Sequence, residues 1–352
     1  MIMNYYRHMD RTKIQFDFVI DGYGKSLLDD EITSLGGRIY KVEPYTHNIF
    51  KYMYQIYRII RDNRYNIVHS NMNTLSVFSL FPAWLAGSEI RVVHNHSTAV
   101  KNEKIRSLCK YILRPLAPIF ANNYAACSQL AGCWMYGKKL MNKHKVKIIR
   151  NAIDIDEFAF NEKKRTDIRH DLGIKNDDLV IGHVGRFVYQ KNHEFLIKIF
   201  QDIYKKNSKA VLLLIGDGEL RSSIEGKIKK YDLRNIKILG LRNDVKDLYN
   251  AMDFFVLPSW YEGLPVVSVE AQANGLSCFV SDTVSRECHL THTIKLMSLS
   301  SGSEFWADEI LKSDKKRNNS VKQELEENNY DIKRESNRML KWYQSGCKEK
   351  EG

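Results

Sequence analysis

Short apolar runs alternate with helix-length segments along almost the whole chain, and this leaves few folds open. Strands are predicted near 14–20, 38–42, 66–70, 90–94, 122–127 and 146–150, then near 179–185, 210–215, 236–239, 253–257 and 277–281. Helices are predicted between them, near 25–35, 49–63, 74–86, 103–120 and 128–137. After the strand at 179–185, Phe195, Leu196, Ile199, Phe200 and Ile203 recur at helical spacing, with charged residues on the other face. Such alternation predicts an α/β chain of doubly wound parallel sheets, whose strands read as continuous apolar runs because both faces are covered. At 352 residues the chain exceeds one typical core, so two domains are expected. The stretch 151–165 follows a strand and turns strongly charged, which reads as the linker; residues 313–329 read as a polar loop plus a solvated helix, and 330–343 as a terminal helix.

Charge and cysteine content narrow the class. Residues 1–160 hold 22 Lys and Arg against 13 Asp and Glu, so they carry +9 of the net +12. There Lys101, Lys104, Arg106, Lys110 and Arg114 interleave with Ile105, Leu108, Ile112, Leu113 and Leu116. The pattern predicts a basic amphipathic helix able to lie on an anionic membrane surface, set against a helix docked on its own sheet with lysines outward. No nucleic-acid-binding motif accompanies the charge, so nucleic acid is not an expected partner. No stretch reaches the ~20 apolar residues of a membrane span, and the first ten residues lack a signal-peptide core. The six cysteines show no paired spacing and read as free thiols of a reducing, cytoplasmic compartment. Cys288-His289-Leu-Thr-His292 has no matching second pair of ligands, so no metal site is expected there.

The chemistry concentrates in Trp260-Tyr-Glu262-Gly263-Leu264-Pro265-Val-Val-Ser-Val-Glu270, just after the apolar run Asp253-Phe-Phe-Val-Leu257. Pro265 suits the first turn of a helix and Gly275 the position past its end. The free N–H groups of such a helix start attract phosphate. Two carboxylates flanking it are suited to the hydroxyls of a nucleotide sugar; the competing reading is an ordinary strand–helix corner with two solvated glutamates. Arg186 and Lys191 stand just after the strand at 179–185 and at the next helix start, where positive charge stabilises a diphosphate leaving group. Gly216-Asp217-Gly218 ends another strand, with small residues that let a ligand approach the backbone; position 221 is Arg, so the segment is no dinucleotide fingerprint. Arg242-Asn243-Asp244-Val245 follows the next strand.

Glu-(seven residues)-Glu within Pro258-Ser-Trp-Tyr-Glu-Gly-Leu-Pro265 resembles the signature of glycosyltransferase family 4, the group 1 glycosyltransferases. Gly182-His-Val-Gly185-Arg186-Phe-Val-Tyr-Gln-Lys191-Asn192, Leu214-Ile-Gly216-Asp-Gly218, Leu239-Gly240, Arg150-Asn-Ala-Ile-Asp154 and Ala126-Cys-Ser128 resemble further landmarks of that family, in its order, over roughly residues 60 to 290. The resemblance implies a GT-B fold of two Rossmann-like domains facing across a cleft. These would be residues 1–160 on the acceptor side and 161–325 for the donor, with 326–352 a helix crossing back to the first domain. It implies a retaining, metal-independent hexosyltransferase with no cofactor beyond its nucleotide-sugar substrate, expected to be UDP-linked.

On that resemblance Glu270 takes the ribose hydroxyls and Glu262 a hydroxyl of the donor sugar, with Gly263 and Leu264 near sugar and phosphates. Arg186 and Lys191 hold the diphosphate, Gly216 lies at the donor, and Asn243, Asp244 and Val245 lie near the base. Family members also place a histidine at the end of the strand at 90–94. Alternation puts His94 and His96 on the same side of an extended chain, so spacing leaves both open; His96 is favoured because His94 could still lie within the strand. His69 is expected to order this region rather than react. The expected setting is capsule, exopolysaccharide or O-antigen synthesis, on a lipid-linked oligosaccharide acceptor at the inner face of the cell membrane.

Family members usually open with an apolar strand and a Gly-Gly loop. Here Met1-Ile-Met-Asn-Tyr-Tyr-Arg-His-Met-Asp10 resembles the first helix instead, and Gly36-Gly37 precedes a later strand. The alternative reading is therefore a truncated, inactive relative that binds nucleotide sugar or serves as a non-catalytic partner. A nucleotide-sugar epimerase or dehydrogenase is disfavoured, because no Gly-x-Gly-x-x-Gly follows any strand.

Overall fold

The computed structural model describes residues 1–97 and 104–347, with the backbone alone at 104–107. The chain divides into two compact units: Met1–Ala152 with the segment from Ile332 onward, and Ile153–Asp331. The first boundary stands eight residues before the expected 160, because Ile153 already donates its N–H to Tyr330 of the second unit.

The first unit holds strands β1 (Phe18–Asp21), β2 (Ile39–Val42), β3 (Ile67–Ser70), β4 (Ile90–Asn95), β5 (Asn123–Ala126) and β6 (Val146–Ile148). β1 and β2 form a parallel pair, and β3-β4-β5-β6 a separate parallel sheet. Among the described residues β1, β2, β3 and β6 each keep one edge without a strand partner. Residues Ile2–His8 are helical, as expected. Tyr5 and Met9 pack with Ile332, Met339, Leu340 and Tyr343 of the terminal helix Ile332–Gln344. The Ser336 hydroxyl donates to the carbonyl of His8 (3.1 Å), so chain start and chain end share one core. The expected helix at 103–120 is shorter, Lys104–Leu113, followed by a 3-10 turn at Ala117–Ile119. Pro115 explains the break, since it has no N–H to continue the ladder.

The second unit is one six-stranded parallel sheet. In chain order its strands are β7 (Leu179–Val184), β8 (Ala210–Ile215), β9 (Ile236–Gly240), β10 (Phe254–Leu257), β11 (Ser277–Ser281) and β12 (Ile294–Met297). Their spatial order is β12-β11-β10-β7-β8-β9. β7, β8 and β10 are buried at every residue, as continuous apolar strands between two helical layers must be. Leu196, Ile199, Phe200 and Ile203 of helix His193–Lys206 cover one face with Trp306; Leu248, Tyr249 and Met252 cover the other.

The second unit departs from the sequence expectation in three further features. β12 and helix Gly302–Lys312 were not expected at all. The charged stretch taken as the end of the linker begins helix Glu162–Asp171. There Arg169 is fully buried and binds Asp253 Oδ2 (2.9 Å), while Arg165 binds Asp253 Oδ1 (2.6 Å). Both arginines also donate to the last carbonyls of helix Val245–Ala251, at Asn250 and Ala251. Charges that look solvated in sequence are thus used to close a helix end, where carbonyls have no partner of their own.

Candidate active site

In the second unit the carboxyl ends of β7, β8, β9 and β10 are followed by Arg186, Gly216, Asn243 and Glu262 in turn, so one sheet edge carries every donor-site residue predicted there. This is the edge at which open α/β sheets bind ligands. Pro265 is the cap residue of helix Val266–Ala273, one position before the expected first turn. No side chain caps the helix start, and its first turn holds no acidic residue. Gly275, at φ +72°, ends it in the left-handed conformation that glycine adopts without strain.

Glu262 is held from one side only. Its Oε1 takes Lys191 Nζ at 2.5 Å and the Ser259 hydroxyl at 2.9 Å, whereas Oε2 has no partner among the described residues. Both side chains of the ion pair are largely buried, at 13% and 10% exposure. The pair is aligned by bonds between two loops. Trp260 N–H donates to the Gln190 carbonyl (2.9 Å), Gln190 Nε2 to the Tyr261 carbonyl (2.9 Å), and Asn192 Nδ2 to the Pro258 carbonyl (3.1 Å). Asn192 itself sits at φ 53°, which turns the chain into the next helix. Arg186 is exposed and has no ion-pair partner among the described residues.

Glu270 is half-buried on helix Val266–Ala273, and burial pushes its carboxyl up from the usual range. The Tyr249 hydroxyl donates to Oε2 (2.9 Å), leaving Oε1 without a partner among the described residues. Arg242 and Asp244 form a bidentate pair (2.8 and 2.5 Å), while Asn243 between them is exposed. Val245 opens the helix that carries Tyr249, and exposed Gly263 with half-buried Leu264 leads into the helix that carries Glu270.

The room for a ligand expected beside Gly216 and Gly218 is absent. A Cβ on Gly216 would lie 2.1 Å from the Gly185 carbonyl oxygen, and one on Gly218 would lie 2.6 Å from that of Phe187. The space beside these glycines is filled by the neighbouring loop's backbone. Their smallness lets the loops after β7 and β8 pack together, rather than leaving room for a ligand.

In the first unit His94 and His96 end β4 and continue beyond it. Alternation left them equivalent; burial separates them. His94 is fully buried, with Nδ1 3.0 Å from His69 Nε2, so it cannot meet a ligand directly. His96 is half-buried, stacks on His94 at 4.0 Å between centroids, and holds Asn71 Oδ1 at 3.0 Å. Its N–H donates to Asn73 Oδ1 (2.6 Å). Desolvation lowers all three rings, His69 to about 3 and His96 to about 4 with the Met1 amine adding to the latter, so each is neutral near pH 7.

Sequence reasoning missed three partners. Ser259 sits inside the Glu262 motif and was visible as a hydroxyl three residues upstream. Tyr249 and Tyr343 gave no signal, because 21 and 274 residues separate them from Glu270 and His69.

Two Rossmann-like units, with paired carboxylates and a cation at the strand ends of the second, define a glycosyltransferase of the GT-B fold. Residues 164–292 match the family described as glycosyl transferases group 1, and residues 1–157 match glycosyltransferase family 4. The chain is 34% identical over 353 residues to the putative glycosyltransferase EpsF of Bacillus subtilis (strain 168), covering 97% of this chain and 92% of that protein. It is 30% identical over 254 residues to the Escherichia coli UDP-Gal:alpha-D-GlcNAc-diphosphoundecaprenol alpha-1,3-galactosyltransferase, covering 68% and 63% of the two. Among solved structures, Anabaena Alr3699/HepE in complex with UDP and glucose superposes with a TM-score of 0.77 at 17% identity, over 98% of this chain and 95% of that one. The chain therefore belongs to the group 1 (family 4) glycosyltransferases and is an enzyme of that family. Its relatives include bacterial capsular polysaccharide glycosyltransferases, among them CapH of Staphylococcus aureus, 26% identical over 279 residues.

Proposed function

We propose that this enzyme transfers a hexose, with retention of configuration, from a UDP-linked donor to a lipid-linked surface glycan. The observation that carries the reading is the pair of half-satisfied carboxylates. Glu262 and Glu270 each use one oxygen on a protein partner and keep the other without one among the described residues, Glu262 in the loop before an uncapped helix start and Glu270 within that helix. That arrangement suits one end of the helix to phosphate and its flanks to sugar hydroxyls. Arg186 and Lys191 supply the charge a diphosphate leaving group requires, so the reading includes no metal. Solved relatives of the same fold are complexes with UDP and UDP-glucose, and the E. coli relative is named for a diphosphoundecaprenol-linked acceptor.

The acceptor's lipid fits the surface of the first unit. Leu108, Tyr111, Ile112, Leu116 and Ile119 are 40–65% exposed around helix Lys104–Leu113. Leu113 of this helix packs on the core, while Leu108, Tyr111 and Ile112 turn outward. Of the basic residues predicted to face a membrane, Lys101 and the side chains of Lys104 and Arg106 lie outside the described residues. Arg114 lies over the Trp134 ring at 5.5 Å. Apolar anchors beside basic residues suit peripheral attachment to an anionic bilayer, and we place the enzyme on the cytoplasmic face. Among the described residues no helix is long and apolar enough to cross a membrane.

The test is transfer from UDP-glucose and UDP-galactose to a undecaprenyl-diphosphate-linked N-acetylglucosamine in the presence of EDTA. The anomeric configuration of the product is read by NMR. A product of inverted configuration, or strict dependence on added divalent cation, would overturn the reading.

A further inference from the structure

Tyr343 lies on the terminal helix, 274 residues from His69, yet its hydroxyl is 2.5 Å from His69 Nδ1. His69 Nε2 is 3.0 Å from His94 Nδ1, and the His94 ring stacks under His96 with 29° between planes. The Tyr343 and His94 side chains are buried and His69 is largely so. We propose that Tyr343 is a positioning residue: through His69 and His94 it fixes the orientation of His96, the ring of this cluster that is open to a ligand. That His96 meets substrate rests on the functional reading above; the chain beneath it does not.

Hydrogen-bonding capacity allows two directions for the chain, and the relative acidity of its two ends selects one. A neutral imidazole offers one donor and one acceptor, and the rings are neutral because burial disfavours their charged forms. The phenol is a stronger acid than a neutral imidazole, so Tyr343 donates to His69 Nδ1. His69 must then carry its proton on Nε2 and donate it to His94 Nδ1. His94 in turn carries its proton on Nε2, an atom that is buried without a partner among the described residues. One hydroxyl thereby sets two tautomers, and with them the plane on which His96 lies. A ring held by packing alone could flip; a ring held by a one-way chain of hydrogen bonds cannot do so without breaking it.

The experiment uses the full-length protein labelled with 15N at histidine. Long-range 1H–15N spectra should show unprotonated Nδ1 and protonated Nε2 at both His69 and His94, with assignment by His→Gln variants. Tyr343→Phe should mix the tautomers at both positions and shift the His96 ring resonances. Ser336→Ala, on the same helix but off the chain, should do neither. In UDP release from UDP-glucose, Y343F should lower kcat about five- to twentyfold with KM within twofold. Protonated Nδ1 at His69 or His94 in the parent protein would overturn the proposal. So would a Y343F variant whose histidine spectra and kcat match the parent. Full turnover by His96→Ala would instead sink the functional role of His96 and leave the tautomer result standing.

Discussion

Lys191 Nζ sits 2.5 Å from Glu262 Oε1, and the two residues come from different loops, one after β7 and one after β10. The pair joins a cation suited to the leaving group to a carboxylate suited to the transferred sugar. Movement of either loop would displace both.

Lys191→Ala leaves a largely buried carboxylate unpaired, which should cost about 3 kcal/mol of stability. The double variant Lys191→Ala/Glu262→Gln should recover most of the melting temperature but none of the turnover. Thermal unfolding beside a transfer assay checks both halves. Recovery of activity in the double variant would mean the pair is structural.

Glu270→Ala should weaken UDP binding about tenfold or more, because a hydrogen bond to a charged group contributes roughly 1.5–3 kcal/mol. Tyr249→Phe should weaken it less, since it removes only the bond that orients the carboxylate. Glu262→Gln should reduce turnover more than UDP affinity. Calorimetric titration with UDP separates the three. Equal losses of affinity in the two glutamate variants would contradict this division.

Gly216→Ala should destabilise the second unit by about 3 kcal/mol or more, combining strain at positive φ with a clash on backbone. Gly216 has φ +132° and its Cβ would meet Gly185. Gly263→Ala, where a Cβ meets nothing, should be nearly neutral for stability. Denaturant midpoints provide the comparison.

The pH dependence of stability has a definite sign. His69 and His96 have folded-state values lowered to about 3 and 4, below the usual value for the unfolded chain. Between those values the unfolded chain binds more protons, so stability falls as pH drops from about 6.5 toward 4. Glu270 acts oppositely, because burial raises its carboxyl: its contribution weakens as pH rises through the raised value. Histidine-to-glutamine variants at 69 and 96 should flatten the acid limb, and Glu270→Gln the other. Melting temperatures from pH 4 to pH 8 test each.

Leu108→Glu/Ile112→Glu should abolish binding to anionic vesicles, whereas charge reversal at Lys104, Arg106 and Lys110 should remove only the salt-sensitive part. UDP affinity should be unchanged in both. Vesicle sedimentation at low and high salt distinguishes the contributions. Undiminished binding by the first variant would show that the exposed leucine and isoleucine are surface residues and nothing more.

Periodicity made the alternating elements legible, and the apolar runs of β7, β8, β10 and β11 were placed to within a residue because full burial leaves no polar face to blur them. Charge was the misleading signal. Arg165 reads as the end of a charged linker, since sequence does not show that Asp253 and a helix end lie opposite it and Arg169. The glycines at 216 and 218 misled for a related reason: their neighbours are backbone atoms from another loop, which leave no mark on local composition. The residues proposed for the donor side lie in motifs that are continuous in sequence. Tyr249 and Tyr343 do not, and their roles exist only after folding.

The first unit is interrupted: its terminal helix, Ile332–Gln344, comes after the whole of the second unit. A ribosome must therefore deliver residues 153–331 before Tyr343 can reach His69. At about 5–20 residues per second this delay is roughly 9–36 s. During it the nascent first unit lacks the helix that packs against Tyr5 and Met9, while the second unit is contiguous and can fold as it emerges. Vectorial synthesis thus gives the two halves unequal starts, and the half that carries the histidines is finished last.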